Sequence, residues 1–174
     1  MHIGNDKIEE LSNLLQTPQR IVILSHTNPD GDAIGSSLAW AEILRKQGHR
    51  VDCIVPNKYP YYLDFMPNCQ SIINYKSDTE GRAAEAVRSA DIIFCLDFHT
   101  MSRLEGLSDL IDENQHARRV LIDHHLDPVE DFDIMISYSE ASSTCYLVAL
   151  LVERMYGSEA TSPTLAENLF VGTM

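Results

Sequence analysis

The sequence predicts an α/β fold in which a mostly parallel sheet carries helices on both faces. Short apolar runs of strand length recur along the chain, and helical patterns separate them, as expected of strands joined by crossover helices. A length of 174 residues, 44% of them hydrophobic, suffices for one substantial core and one domain.

Each element follows from local pattern. Ile8, Leu11, Leu14 and Leu15 share one face of a helix expected at about 6–17, which leads into the buried strand IVILSH at 21–26. A second helix at about 33–47 turns Ile34, Leu38, Ala41 and Ile43 or Leu44 inward and stops at Gly48, a C-terminal cap. Strands follow at 50–56, 91–98, 118–125 and 133–139, with helices near 82–89, 107–115 and 143–156. The stretch YPYYLDFMPN at 59–68 reads as a loop or short helix whose tyrosines Tyr59, Tyr61 and Tyr62 pack at the surface, with base stacking as the alternative. Ser162 is placed to cap a last helix that has Pro163 at its first position.

Composition removes several function classes. No apolar run approaches the roughly 18 to 20 residues that span a bilayer. The start, MHIGNDKIEELSNLL, lacks the apolar core of a secretory signal, which places the protein in the cytoplasm. Cys53, Cys69, Cys95 and Cys145 are scattered singly with no Cys-x-x-Cys pair, against a structural zinc site or a redox motif; Cys53 and Cys95 read as buried thiols. A formal charge of −13 opposes binding to a long nucleic-acid backbone but leaves a short phosphorylated substrate open.

The chemistry lies where polar residues meet strand ends. His26 closes the first run, Asp97 closes FCLD, and Asp123, His124 and His125 close VLID. The carboxyl ends of parallel strands line one crevice. Asp30 and Asp32 stand in a Pro-Asp-Gly-Asp turn that brings both carboxylates toward the same opening, although Asp32 alone could simply cap the following helix. Gathering so many carboxylates and imidazoles is costly without cations. Carboxylate and imidazole without thiolate suit Mn²⁺, Fe²⁺, Co²⁺ or Zn²⁺, with Mg²⁺ as an alternative. Two such ions about 3.5 to 4 Å apart would activate a water and neutralise a phosphoryl group, which is phosphoester hydrolysis. A serine nucleophile is disfavoured: Ser25 precedes His26, but no Gly-x-Ser-x-Gly elbow is present.

VILSHTNPDGDAIGSSLA resembles the first motif of the DHH phosphoesterase superfamily, FCLDF its second, and VLIDHH is similar to the Asp-His-His signature itself. The resemblance runs through essentially the whole chain. Within the superfamily it is greatest to the nanoRNase A type, small cytoplasmic phosphoesterases that degrade very short RNA oligonucleotides and 3′-phosphoadenosine 5′-phosphate. It implies a Rossmann-like DHH domain and two divalent cations, Mn²⁺ first among them. His26 and Asp30 would hold one cation, Asp32 and His124 the other, with Asp97 bridging. Asp123 would orient a histidine, and His125 would contact the substrate phosphate. Arg103 would be a phosphate or structural contact. ASST at 141–144 matches the start of a helix beside the site, with Ser142 as the simplest cap and Ser143 or Thr144 as further phosphate contacts.

In relatives the helix matching LAENLFVGTM continues into a Thr-Asp-Thr-Gly-like segment whose aspartate completes the second metal site, then into a smaller substrate-gripping domain. The sequence ends at Met174, so residues 1–174 are expected to be the catalytic domain alone, weak or inactive by itself. The leading expectation is a two-metal phosphoesterase acting on short RNA oligonucleotides or a nucleoside bisphosphate. An exopolyphosphatase or pyrophosphatase of the same superfamily, or a non-catalytic metal- or nucleotide-binding fragment, are the alternatives. Relatives commonly dimerise, which makes a homodimer admissible.

Overall fold

The computed structural model describes residues 3–129 and 131–174. Six strands, β1 (Arg20–Leu24), β2 (Arg50–Val55), β3 (Ile73–Asn74), β4 (Ile92–Leu96), β5 (Arg118–Asp123) and β6 (Ile134–Ser137), form one sheet. Their order is β3-β2-β1-β4-β5-β6 and every neighbouring pair is parallel. This is the doubly wound order of Rossmann-like folds. The chain leaves β1 toward β2 and β3, then returns to lay β4 on the other side of β1. The switch between β1 and β4 opens the crevice in which such sheets bind ligands.

The helices are α1 (Asn5–Leu14), α2 (Gly31–Lys46), α3 (Arg82–Ser89), α4 (Leu107–Glu113), α5 (Thr144–Tyr156) and α6 (Pro163–Thr173). Alternate residues of the same strands feed opposite faces. Ile21, Ile23, Phe94 and Ile122 pack with Leu11 of α1, Trp40 of α2, Leu147 of α5 and Leu165 of α6. Val22, Leu24, Ile93 and Leu121 pack with Val87 of α3 and Leu107 and Ile111 of α4. Both faces are thus covered, and β4 is buried at every position. Trp40 is fully buried and meets Phe94 edge-on at 5.6 Å, a geometry worth about 0.5–1.5 kcal/mol beyond its buried area.

Element boundaries differ from the sequence reading where local chemistry intervenes. Helix α1 ends at Leu14 instead of continuing to 17, because Pro18 excludes Thr17 from helical backbone. Helix α2 begins at Gly31, two residues early, since Asp30 and not Asp32 is its N-cap. The 59–68 stretch forms a short 3-10 turn at Tyr61–Leu63; Tyr59 is buried beneath it, whereas Tyr61 and Tyr62 are exposed. Strand β3, two residues long, has no counterpart in the sequence reading. Gly48 takes φ 91° just past α2, as expected of a cap. Ser162 caps α6 by accepting from the Leu165 amide at 3.1 Å.

Helix α6 lies directly against the first half of α2. A Cβ on Gly35 would meet the Asn168 carbonyl oxygen and come within 3.0 Å of Cys145 Sγ; one on Gly172 would meet Cys145 Sγ and stand 2.8 Å from the Gly31 carbonyl oxygen. These two glycines let α6 press against the turn that carries Asp30 and Asp32. Gly→Ala inside a helix ordinarily stabilises by about 1 kcal/mol. Gly35→Ala should instead destabilise by about 1–3 kcal/mol through overpacking, read as a lower midpoint in urea; an unchanged or higher midpoint would contradict this packing.

Candidate metal centre

Ser25 and His26 follow β1 and are both buried. His26 Nδ1 lies 2.8 Å from the Thr27 carbonyl oxygen, and Arg103 Nη2 stands 3.2 Å from the same nitrogen. That nitrogen cannot donate to the carbonyl and accept from the guanidinium at once. The tautomer that donates to Thr27 leaves the Nε2 lone pair directed to Asp97 Oδ2, 3.5 Å away.

Asp30 and Asp32 divide the work of their turn. Asp30 Oδ1 accepts from the amides of Asp32 and Ala33 at 3.0 and 3.1 Å, which fixes the start of α2. Asp32 reaches across to another helix: its oxygens accept from the backbone amides of Thr144 at 2.8 Å and Cys145 at 2.7 Å, the first residues of α5. The positive end of that helix dipole favours the carboxylate. The cap of α5 is Ser143, whose Oγ accepts from the Tyr146 amide at 3.0 Å, in place of the expected Ser142.

Asp97 occupies the centre. It follows β4 with φ 65°, a left-handed conformation unusual outside glycine and most tolerable for Asp and Asn. Its two oxygens face different partners. Oδ2 looks to His26; Oδ1 accepts from Thr144 Oγ1 at 2.9 Å and lies 3.6 Å from His124 Nε2. His124 Nε2 is also 3.5 Å from Asp32 Oδ2, while its Nδ1 approaches the Ala141 carbonyl oxygen at 3.3 Å. Next to it, His125 Nδ1 is bonded to Asp123 Oδ1 at 2.7 Å, and its amide donates to Asp123 Oδ2 at 3.1 Å. Asp123 is fully buried and serves His125, the histidine expected to meet substrate, not His124.

All eight residues singled out from the sequence thus come together: His26, Asp30, Asp32, Asp97, Asp123, His124 and His125 line the crevice and Arg103 abuts His26. Two roles are absent from the sequence reading. Thr144, expected at most as a phosphate contact, holds Asp97, a buried contact across 47 residues that no spacing reveals. His99 tilts over His125 with ring centroids 5.3 Å apart; its position two residues past Asp97 was the available signal. Donor atoms of His99, Asp123 and His125 lie within 4.8 Å of one another, and Asp123 accepts from both the ring and the amide of His125.

The spacing fits cations. At 3.5–3.6 Å the contacts His26–Asp97, His124–Asp32 and His124–Asp97 are too long for good hydrogen bonds. Two ligands each about 2.1 Å from one ion sit about 3.0–3.5 Å apart. His26, Asp30 and Asp97 offer one cluster of donor atoms within 4.8 Å, and Asp97 with His124 and His125 offers another. Mixed oxygen and imidazole nitrogen donors suit a first-row divalent ion.

Without cations these groups repel. Burial, then the charge of Asp97, pushes the Asp32 carboxyl up to about 6 from 3.8, although the Cys145 and Thr144 amides oppose the rise. For His26, burial favours the neutral ring, but the Asp97 carboxylate facing Nε2, the Thr27 carbonyl facing Nδ1 and the charge of Asp30 together favour the protonated ring, outweigh burial and raise its pKa. Both folded values lie above the unfolded ones, so the folded state holds its protons more tightly and stability declines as pH rises through these values. In EDTA, Asp32 should cost on the order of 2 kcal/mol between about pH 4 and pH 6. Asp32→Asn should remove that loss: its melting temperature relative to the parent chain should climb across this pH range by calorimetry, and a constant difference would refute the argument.

The residues define an α/β domain whose strand ends converge on a carboxylate–imidazole centre. The chain belongs to the DHH family: residues 20–173 match the model "DHH family, N-terminal domain". Among curated proteins it is 25% identical over 167 residues to the bifunctional oligoribonuclease and PAP phosphatase NrnA of Mycoplasma pneumoniae, covering 95% of this chain and 48% of that one. Among solved structures, an exopolyphosphatase-related protein from Bacteroides fragilis is 38% identical with a TM-score of 0.94, covering 99% of this chain and 50% of that one. RecJ from Thermus thermophilus, solved in complex with Mn²⁺, shares the fold at 13% identity and a TM-score of 0.58, over 97% of this chain and 23% of that one. The chain spans about half the length of NrnA and of the Bacteroides protein.

Proposed function

We propose that the chain carries the catalytic metal centre of a phosphoesterase that hydrolyses short RNA oligonucleotides or a nucleoside 3′,5′-bisphosphate. The observation that carries the reading is Asp97, one oxygen facing His26 and the other His124, as a carboxylate shared by two cations would. His26 and Asp30 would hold one ion, Asp32 and His124 the second. Mn²⁺ is the first choice, supported by the donor set and by the Mn²⁺ complex of RecJ.

When bound, such a pair lowers the pKa of coordinated water and neutralises phosphoryl charge. The residues do the rest. Asp32 and Asp97 are held on α5 by backbone and hydroxyl donors, so both carboxylates are fixed in orientation. Asp123 fixes the Nδ1 side of His125, which leaves Nε2 to hydrogen-bond a phosphate oxygen. Arg103, beside His26, supplies positive charge at the other edge of the crevice.

A second reading, an exopolyphosphatase or pyrophosphatase, is favoured by the likeness to the exopolyphosphatase-related protein of Bacteroides fragilis. A panel of a dinucleotide, 3′-phosphoadenosine 5′-phosphate, pyrophosphate and polyphosphate with Mn²⁺, run on a version of the protein extended past Met174, separates the two. Turnover of the first pair supports the nucleotide reading, turnover of only the second pair the alternative, and none with any substrate counts against both.

Cation binding gives an independent measure. Calorimetric titration should find two Mn²⁺ per chain, and Asp97→Asn, which suits the left-handed backbone, should weaken both sites together; loss of one site with the other intact would remove the bridging role. Asp123→Ala should raise KM for the phosphate ester by about 10- to 100-fold while leaving Mn²⁺ affinity nearly unchanged. Equal loss of Mn²⁺ affinity would make Asp123 a ligand.

A further inference from the structure

A cavity of about 280 Å³ opens at the amino ends of β1 and β2, the opposite end of the sheet from the metal centre. Three arginines border it, Arg20, Arg50 and Arg82, drawn from only 13 basic residues in a chain of net charge −13. Arg20 and Arg50 are register partners on adjacent parallel strands, so their backbones run about 4.8 Å apart. Like charges side by side on a sheet are unfavourable. Arg82 has Asp78 and Glu80 as partners at 3.9 and 3.3 Å, but Arg20 and Arg50 enter no ion pair among the described residues. The cavity lies between the sheet and α3: Val22 and Ile73 contribute apolar lining, with Asp52 from β2 and Glu85 from α3 beside them.

We propose that this cavity binds a small phosphorylated sugar, with the phosphate between Arg20 and Arg50. An anion there would relieve the repulsion between the two guanidinium groups and accept from both in forked geometry. Asp52 and Glu85 repel a second phosphate but accept hydrogen bonds from hydroxyls, which selects a sugar monophosphate over a polyphosphate. The volume of about 280 Å³ lies just below the usual range of ligand pockets, roughly 300–1,000 Å³, and suits one sugar ring. Arg20 lies six residues before His26 along β1, about 20 Å, so this ligand would occupy a site separate from the metal centre.

The test is calorimetric titration of the full chain in EDTA with ribose 5-phosphate, and separately with ribose and inorganic phosphate. Ribose 5-phosphate should bind one per chain, at least about tenfold tighter than either fragment. Arg20→Gln/Arg50→Gln, and Arg50→Gln alone, should weaken it by at least about tenfold while circular dichroism stays unchanged; His125→Ala, in the metal centre, should not. Absence of binding, equal binding of inorganic phosphate, or loss in His125→Ala with the arginine variants unaffected would each overturn the proposal.

Discussion

The carboxylate of Asp32 is the constraint on which the rest of the centre depends. It joins the first turn of α2 to the first turn of α5 through the Thr144 and Cys145 amides, across more than a hundred residues of chain. Because Thr144 in turn holds Asp97, this one link brings the outputs of β1, β4 and α5 into a common frame. His124, after β5, enters the same frame by facing both carboxylates. The arrangement is electrostatically unfavourable without charge compensation, and the raised pKa of Asp32 expresses that cost. A cation held there, as proposed above, would remove that repulsion.

The sheet makes the link possible. In a doubly wound sheet the first strand and the strand added after the switch deliver their ends side by side, and here those ends carry His26 and Asp97. The helical layer that holds α2 and α5 also supplies a backing plate, α6. Gly35 and Gly172 allow α6 to lie so near α2 that the turn bearing Asp30 and Asp32 has packed backbone behind it. Rigidity in the site is therefore inherited from a close helix crossing and from caps, not from a network of long charged side chains.

Much of this was legible in the sequence, for physical reasons that can be named. The strands declared themselves because fully buried parallel strands are continuous apolar runs, and RIVIL, IIFCL and VLI admit few other homes. The ligand-type residues declared themselves because they fall just beyond those runs. Contacts that depend on three-dimensional closure did not. The sequence turn Pro-Asp-Gly-Asp cannot say which aspartate caps its own helix and which reaches for another, and the structure assigns Asp30 to the first task and Asp32 to the second. The sequence reading favoured Ser142 as the cap of α5, yet the backbone uses Ser143, a residue of the same chemistry one position on. Strand β3 is too short to leave a period, and the pairing of Arg20 with Arg50 needs the register of two strands.

The four cysteines have a practical consequence. Each is a free thiol sealed inside the domain, and burial pushes Cys53 and Cys95 up to about 12 and Cys145 well above its ordinary range. Reactive thiolate is then available only when the domain opens. The folded chain should resist oxidative cross-linking during storage, and the pace at which an external disulfide reagent labels it becomes a clock for those openings. The Cys145 component of that clock is the most informative, because its sulfur lies 3.6 Å from the Asp32 carbonyl oxygen and reports on the joint between α2 and α5 directly.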